Sequence, residues 1–363
     1  MGSYNIAVLP GDGIAPEVIA EAQRVLDAAG GPSLTYAEYA CGANCYLETG
    51  DPLPAETVEA CRAADAVLLG AMGLPNVRWP DGTEMRPQVD LRFLLDLYAG
   101  VRPIYLYAEH HSPLKGYGAG DIDFVLLREN VEGLFASMNG GIQIRNETAV
   151  DSMVITRSGT ERIARYAFDL AADRQVERAK GQHGARDTHV TCVDKANIFK
   201  SMAFFRSVFD GVAEESEITA DHAYVDAMAL YMVQRPETYD VMVTENMYGD
   251  ILSDLGAGLV GGLGMAPSGD IGEDAAVFQP SHGTAPDIVG KGIANPTATI
   301  LSAAMMLRWL GHRHNDSGAI AAAGRIDAAV TQVLAAEGTG TPDLGGTMST
   351  QDLGRDIAAA AAP

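Results

Sequence analysis

Cysteine is scarce in this chain, with four in 363 residues at positions 41, 45, 61 and 192. That number and scatter exclude a disulfide framework, and Cys41-x3-Cys45 has no second Cys/His pair at metal-ligand spacing. Ordinary reduced thiols are expected. Basic residues are also few: 25 Lys and Arg stand against 48 Asp and Glu, for a formal net charge of -23. A field of that sign repels phosphate backbones and anionic lipid surfaces, so no nucleic-acid or membrane partner is expected. An anionic substrate must instead be met by a local basic cluster, whereas cations are favoured across the whole surface. Long apolar runs are missing too. The most apolar stretch, residues 300–310, is too short to span a bilayer, and residues 1–5 show neither a basic n-region nor an apolar h-region. The expectation is a cytoplasmic protein. Finally, no G-x-G-x-x-G follows a strand-like run, so the Rossmann dinucleotide fingerprint is absent.

What is present is material for a large core: 47% hydrophobic and 20% charged residues. The length amounts to about two domains at ~150 residues each. Short β-rich runs alternate with helical patterns. Residues 4–9, 66–69, 124–127, 190–193 and 241–244 read as buried strands. Pro16-Glu17-Val18 reads as a helix start, continued by Val18, Ile19, Ala22, Val25 and Leu26 at helical spacing. This alternation predicts an α/β fold with mostly parallel pairing, whose ligands bind where strands end.

Four constellations carry chemistry. Asp250 and Asp254 are four apart, on one face if helical. Such a pair suits Mg2+ or Mn2+, but on spacing alone an Asp N-cap followed by a solvated Asp is the favoured reading. Lys195 follows the strand 190–193 between Asp194 and Asn197, where a partly desolvated lysine can act as a base or simply be solvated. Arg92 and Arg102 flank an apolar run and Arg128 stands at a strand end, suited to gripping carboxylates or to surface ion pairs. The small-residue segment His282-Gly283-Thr284-Ala285-Pro286-Asp287-Ile288, followed by residues 290–296 with Asn295, allows close backbone approach of a ligand, or forms a structural turn.

Taken together, these segments resemble the β-decarboxylating dehydrogenases of 2R-hydroxy acids, the isocitrate/isopropylmalate dehydrogenase family. The matching segments are LPGDGIAPEV (9–18), LRFLLDLYAGVRP (91–103), LLRENVEGLF (126–135), VDKAN (193–197), YVDAMA (224–229), NMYGDILSDL (246–255), HGTAPDIVGKGIANP (282–296) and TPDLGG (341–346). They follow family order over almost the whole chain.

The resemblance implies the family's own two-domain α/β fold with a mostly parallel sheet, not a Rossmann fold. Residues 1–97 and 248–363 would form a cofactor domain, and residues 98–247 a substrate and dimerisation domain. It implies that Arg92, Arg102 and Arg128 bind substrate carboxylates, and that Lys195 is the general base. Asp226, Asp250 and Asp254 would hold Mg2+ or Mn2+ in sites shared across a homodimer, with Asp226 also in the catalytic set. His282, Gly283, Thr284, Ala285, Asp287, Ile288 and Asn295 would form the cofactor site. Asp287-Ile288 stand where NADP-using relatives carry basic or phenolic residues, and a carboxylate there repels a 2'-phosphate, so NAD is expected.

Departures from the pattern are specific. Phe135 occupies the position of the family's catalytic Tyr, and Phe cannot donate the final proton, which leaves three expectations: Tyr248 or water substitutes, the enzyme is slow, or it oxidises a substrate without a required decarboxylation. Residues 86–92 match neither the isopropylmalate nor the isocitrate pattern. Val89 and Leu91 are expected to line a modest apolar pocket, while Asp90 disfavours a third carboxylate and makes isocitrate the least suited substrate. Residues 177–187 read as a surface loop, and Gln279 stands where a Glu often precedes the Pro-x-His-Gly turn. The leading expectation is an NAD- and divalent-metal-dependent oxidative decarboxylase of a 3-substituted malate, a small dicarboxylic 2-hydroxy acid. The alternatives are tartrate or D-malate oxidation, and a non-catalytic regulatory or binding subunit of a heteromer.

Overall fold

The computed structural model describes residues 2–180 and 186–363. The chain folds as two compact units, one built from residues 1–97 and 261–363, the other from residues 98–260.

The first unit opens with β1 (Ser3–Leu9), α1 (Ala15–Ala28), β2 (Ser33–Glu38), α2 (Ala43–Thr49), α3 (Ala55–Ala63), β3 (Ala66–Leu69) and α4 (Pro87–Leu94). Proline stands at the first turn of both α1 and α4, where its missing N–H costs no hydrogen bond. The apolar spacing of α1 works as expected: Val18, Ile19, Ala22, Val25 and Leu26 are all buried. The middle unit follows with β4 (Ala99–Tyr105), β5 (Asp123–Glu129), β6 (Ile142–Ile144), β7 (Thr148–Val150), α5 (Arg157–Ala179), β8 (His189–Asp194), α6 (Lys200–Ala213), β9 (Thr219–Tyr224), α7 (Val225–Gln234), β10 (Val241–Thr244) and α8 (Asn246–Leu259). The chain then completes the first unit with β11 (Pro267–Ile271), β12 (Ala276–Pro280), α9 (Thr297–His314), α10 (Ser317–Leu334) and α11 (Thr350–Ala361).

In the first unit the strand order is β2-β1-β3-β12-β11, parallel except for the β11–β12 pair. In the middle unit it is β4-β5-β10-β8-β9, parallel except for the β4–β5 pair. Strands buried on both faces read as continuous apolar runs, which is why residues 66–69 and 241–244 are delimited in the structure as they are in the sequence. Helix α8 packs on β5, β4 and β10 and so belongs to the middle unit. The chain therefore re-enters the first unit at residue 261 rather than at the expected 248, and Asp250 and Asp254 lie in the middle unit.

Two further expectations shift. Of residues 177–187, those up to Ala179 continue α5, while 181–185 lie outside the described residues. Leu91 is 1% exposed and packs in the first unit's core with Leu69, Leu95 and Leu97, so it lines no pocket; on α4 only Val89 of the two keeps partial exposure. All four cysteines are free and buried. No helix among the described residues is long and apolar enough to cross a membrane.

Candidate active site

In the middle unit, the parallel strands deliver charge at their C-terminal ends. Arg128 is the penultimate residue of β5 and is fully buried. Its Nε donates to Asn246 Oδ1 at 2.9 Å, and its Nη1 is ion-paired with Asp250. Helix α8 can lie this close only because residue 249 is glycine: a Cβ there would sit 2.7 Å from that of Arg128. Glu245 caps α8, its carboxylate accepting from the backbone N–H of Tyr248 at 2.7 Å and of Met247 at 3.2 Å. Asp250 and Asp254 therefore stand one and two turns into the helix. The alternative of an Asp N-cap is excluded, because the cap lies five residues earlier.

The two aspartates share a face of α8. Partial burial, and then the charge of Asp250, raise the Asp254 carboxyl above its usual value. That is the electrostatic strain a bound cation relieves, and hard carboxylate oxygens suit Mg2+ or Mn2+. Arg102, in the middle of β4 opposite Leu126, is also buried.

Lys195 follows β8 on a turn fixed by Asp194. That buried carboxylate accepts from Ala196 N at 2.7 Å and from Arg206 Nε and Nη2 at 2.7 and 2.8 Å. The lysine Nζ is ion-paired with Asp226 in the first turn of α7, and the hydrogen bond from Lys195 is the main reason the Asp226 carboxyl lies below its usual value. Asp226 is mostly solvent-exposed. Among the described residues no three His, Cys, Asp or Glu side chains gather as a metal site, so within one chain Asp226 does not join Asp250 and Asp254. Phe135 places its ring 4.9 Å under the Arg128 guanidinium, a cation–π contact rather than a proton donor. Tyr248 is half-buried, and burial, then the charges of Glu245, Asp194 and Asp226, raise its phenol pKa.

The first unit carries the remaining residues. Arg92, near the end of α4, is buried and donates through Nε to Asp270 Oδ2 at 3.0 Å. The loop of residues 282–295 is built around backbone. Thr284 donates its hydroxyl to Gly73 O at 2.7 Å, and its carbonyl accepts from Ile14 N at 3.0 Å. Gly13, at φ 63°, is required there, since a Cβ would fall 2.1 Å from Thr284 O. Ala285 is held at a positive φ of 38°. Asp287 and Gly283 are exposed, whereas Ile288 packs with Ile14, Val18 and Ala294.

His282 is half-buried, and desolvation lowers its pKa, so it is neutral at physiological pH. Its Nδ1 lies 2.9 Å from Gly283 O, while its buried Nε2 has no hydrogen-bond partner among the described residues. An orphaned imidazole nitrogen beside exposed glycine backbone fits a heterocycle or ribose. Asn295 is different: its amide is engaged by Asp343 at 3.0 Å and by Thr297 N at 3.0 Å, so its side chain holds the loop together.

Asp12 stands outside the four constellations visible in the sequence. Wholly buried, it accepts from Ala43 N, Asn44 N and Gly73 N at 2.7, 2.9 and 2.9 Å and ties three loops together beside Thr284. Its only local signal is its place between two glycines after a strand.

Residues 5–357 match the model of the isocitrate/isopropylmalate dehydrogenase family. A 3-isopropylmalate/3-methylmalate dehydrogenase of Methanocaldococcus jannaschii is 43% identical over 360 residues, covering 98% of both chains. A 3-isopropylmalate dehydrogenase of Nocardia farcinica is 43% identical over 364 residues, 98% of this chain and 99% of the relative. The crystal structure of isocitrate dehydrogenase from Methylococcus capsulatus superposes with a TM-score of 0.86 at 37% identity, over 100% of both chains. The protein is an oxidoreductase of the β-decarboxylating dehydrogenase class. Within that class, the chain belongs to the isocitrate/isopropylmalate dehydrogenase family.

Proposed function

We propose that this protein oxidises a 3-substituted malate at its 2-hydroxyl group and releases the β-carboxylate as CO2, with NAD as oxidant and Mg2+ or Mn2+ as metal. The observation that carries this reading is the middle unit's strand ends, where an anion-gripping Arg128 and cation-suited Asp250 and Asp254 adjoin, and where Lys195 after β8 pairs with Asp226 of α7. The two curated relatives described above are named for 3-isopropylmalate, one of them also for 3-methylmalate, which favours an alkyl substituent. Of the bound groups, the dinucleotide supplies a hydride acceptor and the divalent cation a Lewis acid.

The chain's own residues do the rest. Arg92, Arg102 and Arg128 hold the carboxylates, burial strengthening each charge-assisted bond. Lys195, carried with Asp226 by a second copy, takes the hydroxyl proton as general base. Tyr248, whose raised pKa keeps it protonated, replaces the missing tyrosine at 135 as donor to the enolate carbon, directly or through water. Asp250 and Asp254 with Asp226 of a second copy form the metal site. His282 Nε2 and the backbone around Gly283 hold the adenosine end, and the exposed Asp287 disfavours a 2'-phosphate.

Homodimerisation is part of this proposal. The β6–β7 ribbon exposes every residue, including Ile142, Ile144 and Val150, and an isolated two-stranded ribbon is marginal in water. Ile198, Leu230 and Val233 are likewise exposed around Lys195 and Asp226, as a surface awaiting a second copy.

The test is purified protein with NAD and Mn2+ against 3-isopropylmalate, D-malate, tartrate, isocitrate and homoisocitrate, recording NADH and CO2 together. Equal amounts of both with 3-isopropylmalate are expected. NADH without CO2, or preference for isocitrate, contradicts the reading.

A further inference from the structure

We propose that Gln279 is a positioning residue for substrate capture: its amide holds Asp270, and Asp270 holds the Arg92 guanidinium so that its terminal nitrogens face the substrate carboxylate. The proposal rests on the reading of Arg92 as a carboxylate ligand. Gln279 Nε2 donates to Asp270 Oδ2 at 2.7 Å, and Arg92 Nε donates to the same oxygen at 3.0 Å. The three side chains are buried, Asp270 to 1% exposure. In the antiparallel β11–β12 pair, Asp270 stands opposite Val277, which makes Gln279 its diagonal neighbour on the same face. The Gln279 backbone is pinned in turn, its carbonyl accepting from Ser302 Oγ at 2.8 Å.

The chemistry of this triad follows from charge. Asp270 occupies the Nε edge of Arg92, the edge a carboxylate would otherwise contest, and leaves the two Nη groups for bidentate recognition. The Asp270 carboxylate balances the Arg92 guanidinium it holds, and an amide at 279 satisfies Asp270 further without adding charge. A carboxylate at 279 would add one negative charge once ionised, weakening attraction for an anionic substrate. Asp270 from β11, with Arg92 from α4 behind it, and the neutral Ser302 from α9 face position 279, with apolar β3 alongside and a further partner on Asp270. An amide donates at every pH. A glutamate there donates only while it keeps a proton, which a neighbouring carboxylate at hydrogen-bond distance favours.

The experiment is steady-state kinetics across neutral pH for the wild type, Gln279→Glu, Gln279→Leu and Arg92→Met. The substrate is 3-isopropylmalate, or otherwise the dicarboxylate of the panel that the wild type turns over fastest. In Gln279→Glu, KM should match the wild type at the acidic end and rise about tenfold relative to it as the shared proton is lost, with kcat little changed. Gln279→Leu should raise KM at every pH, without the new pH dependence. Superimposable KM profiles for the wild type and Gln279→Glu would overturn the proposal. So would a rise in Gln279→Glu that is equal at all pH values and accompanied by a lower Tm, which marks packing alone. Arg92→Met separates the two layers: unchanged KM removes the underlying reading of Arg92, whereas raised KM with a silent Gln279→Glu removes only the positioning role.

Discussion

Two charged clusters sit at opposite ends of the same parallel strands in the middle unit, built from the same residue types. At the N-terminal ends, Asp123 opens β5 and Asp240 precedes β10. Arg174 of α5 bridges them, with Nε to Asp240 at 2.7 Å and Nη2 to Asp123 at 2.9 Å, and Arg178 donates to Asp240 at 2.6 Å. Arg186 donates to backbone carbonyls of Asp123, Tyr239, Gly120 and Asp121. Burial would raise the Asp240 carboxyl, but the guanidinium donors of Arg178 and Arg174 outweigh it and hold it below its usual value. Both aspartates are buried and satisfied.

At the C-terminal ends, Asp226 is 68% and Asp250 51% exposed, each tied to one cation. The contrast separates structural from chemical charge. A closed, buried network holds strands together, whereas an open one leaves carboxylate lone pairs accessible to solutes.

Breaking the closed end should have the largest effect. Arg174→Met leaves two buried carboxylates short of a partner and should cost about 3–5 kcal/mol of stability, read by denaturant unfolding, with turnover per folded molecule preserved. Next is pH. Glu129, buried behind the open end, has its carboxyl pushed up to about 8 by burial, against the N–H donors of Glu132 and Val131. A raised folded pKa means that the stability from this group is whole below the unfolded value of about 4.5 and is lost as pH rises through about 8. Glu129→Gln should therefore flatten the alkaline side of the stability profile, as unfolding at stepped pH would show.

A smaller effect sharpens the open end. Mn2+ at a hundredfold excess over its Kd should stabilise the wild type by about 2.7 kcal/mol, and Asp254→Asn should lose most of that gain in thermal unfolding. The smallest is Phe135→Tyr, which restores a phenol beside Arg128. It should change kcat by less than about tenfold if Tyr248 or water already delivers the proton, as proton-transfer kinetics in deuterated solvent would register.

Much of this was legible in the sequence, for identifiable reasons. Residues 66–69 and 241–244 are strands with the bounds that their apolar runs imply, and the four-residue spacing of Asp250 and Asp254 correctly puts them on one helix face. What spacing alone could not reveal depends on distant partners. Arg92 and Asp270 are 178 positions apart, and Asp12 binds loops 31 and 61 residues away. No local periodicity encodes such contacts. Leu91 failed as a pocket residue because α4 turns that position to the core, while Arg92, one step along, faces Asp270 instead. Asn295 follows a Gly- and Pro-rich segment, yet its amide is engaged by Asp343, 48 positions on, and by the backbone N–H of Thr297.

The distinction between the two ends is tested most directly by Lys195→Met, with kcat and Tm measured on the same preparation. The pair with Asp226 is partly solvated, Asp226 being 68% exposed, and adds little to stability, so Tm should stay close to the wild type while kcat falls by about 10²–10⁴-fold. Retained turnover, or a Tm loss comparable to that of Arg174→Met, would contradict the assignment of the open end to catalysis.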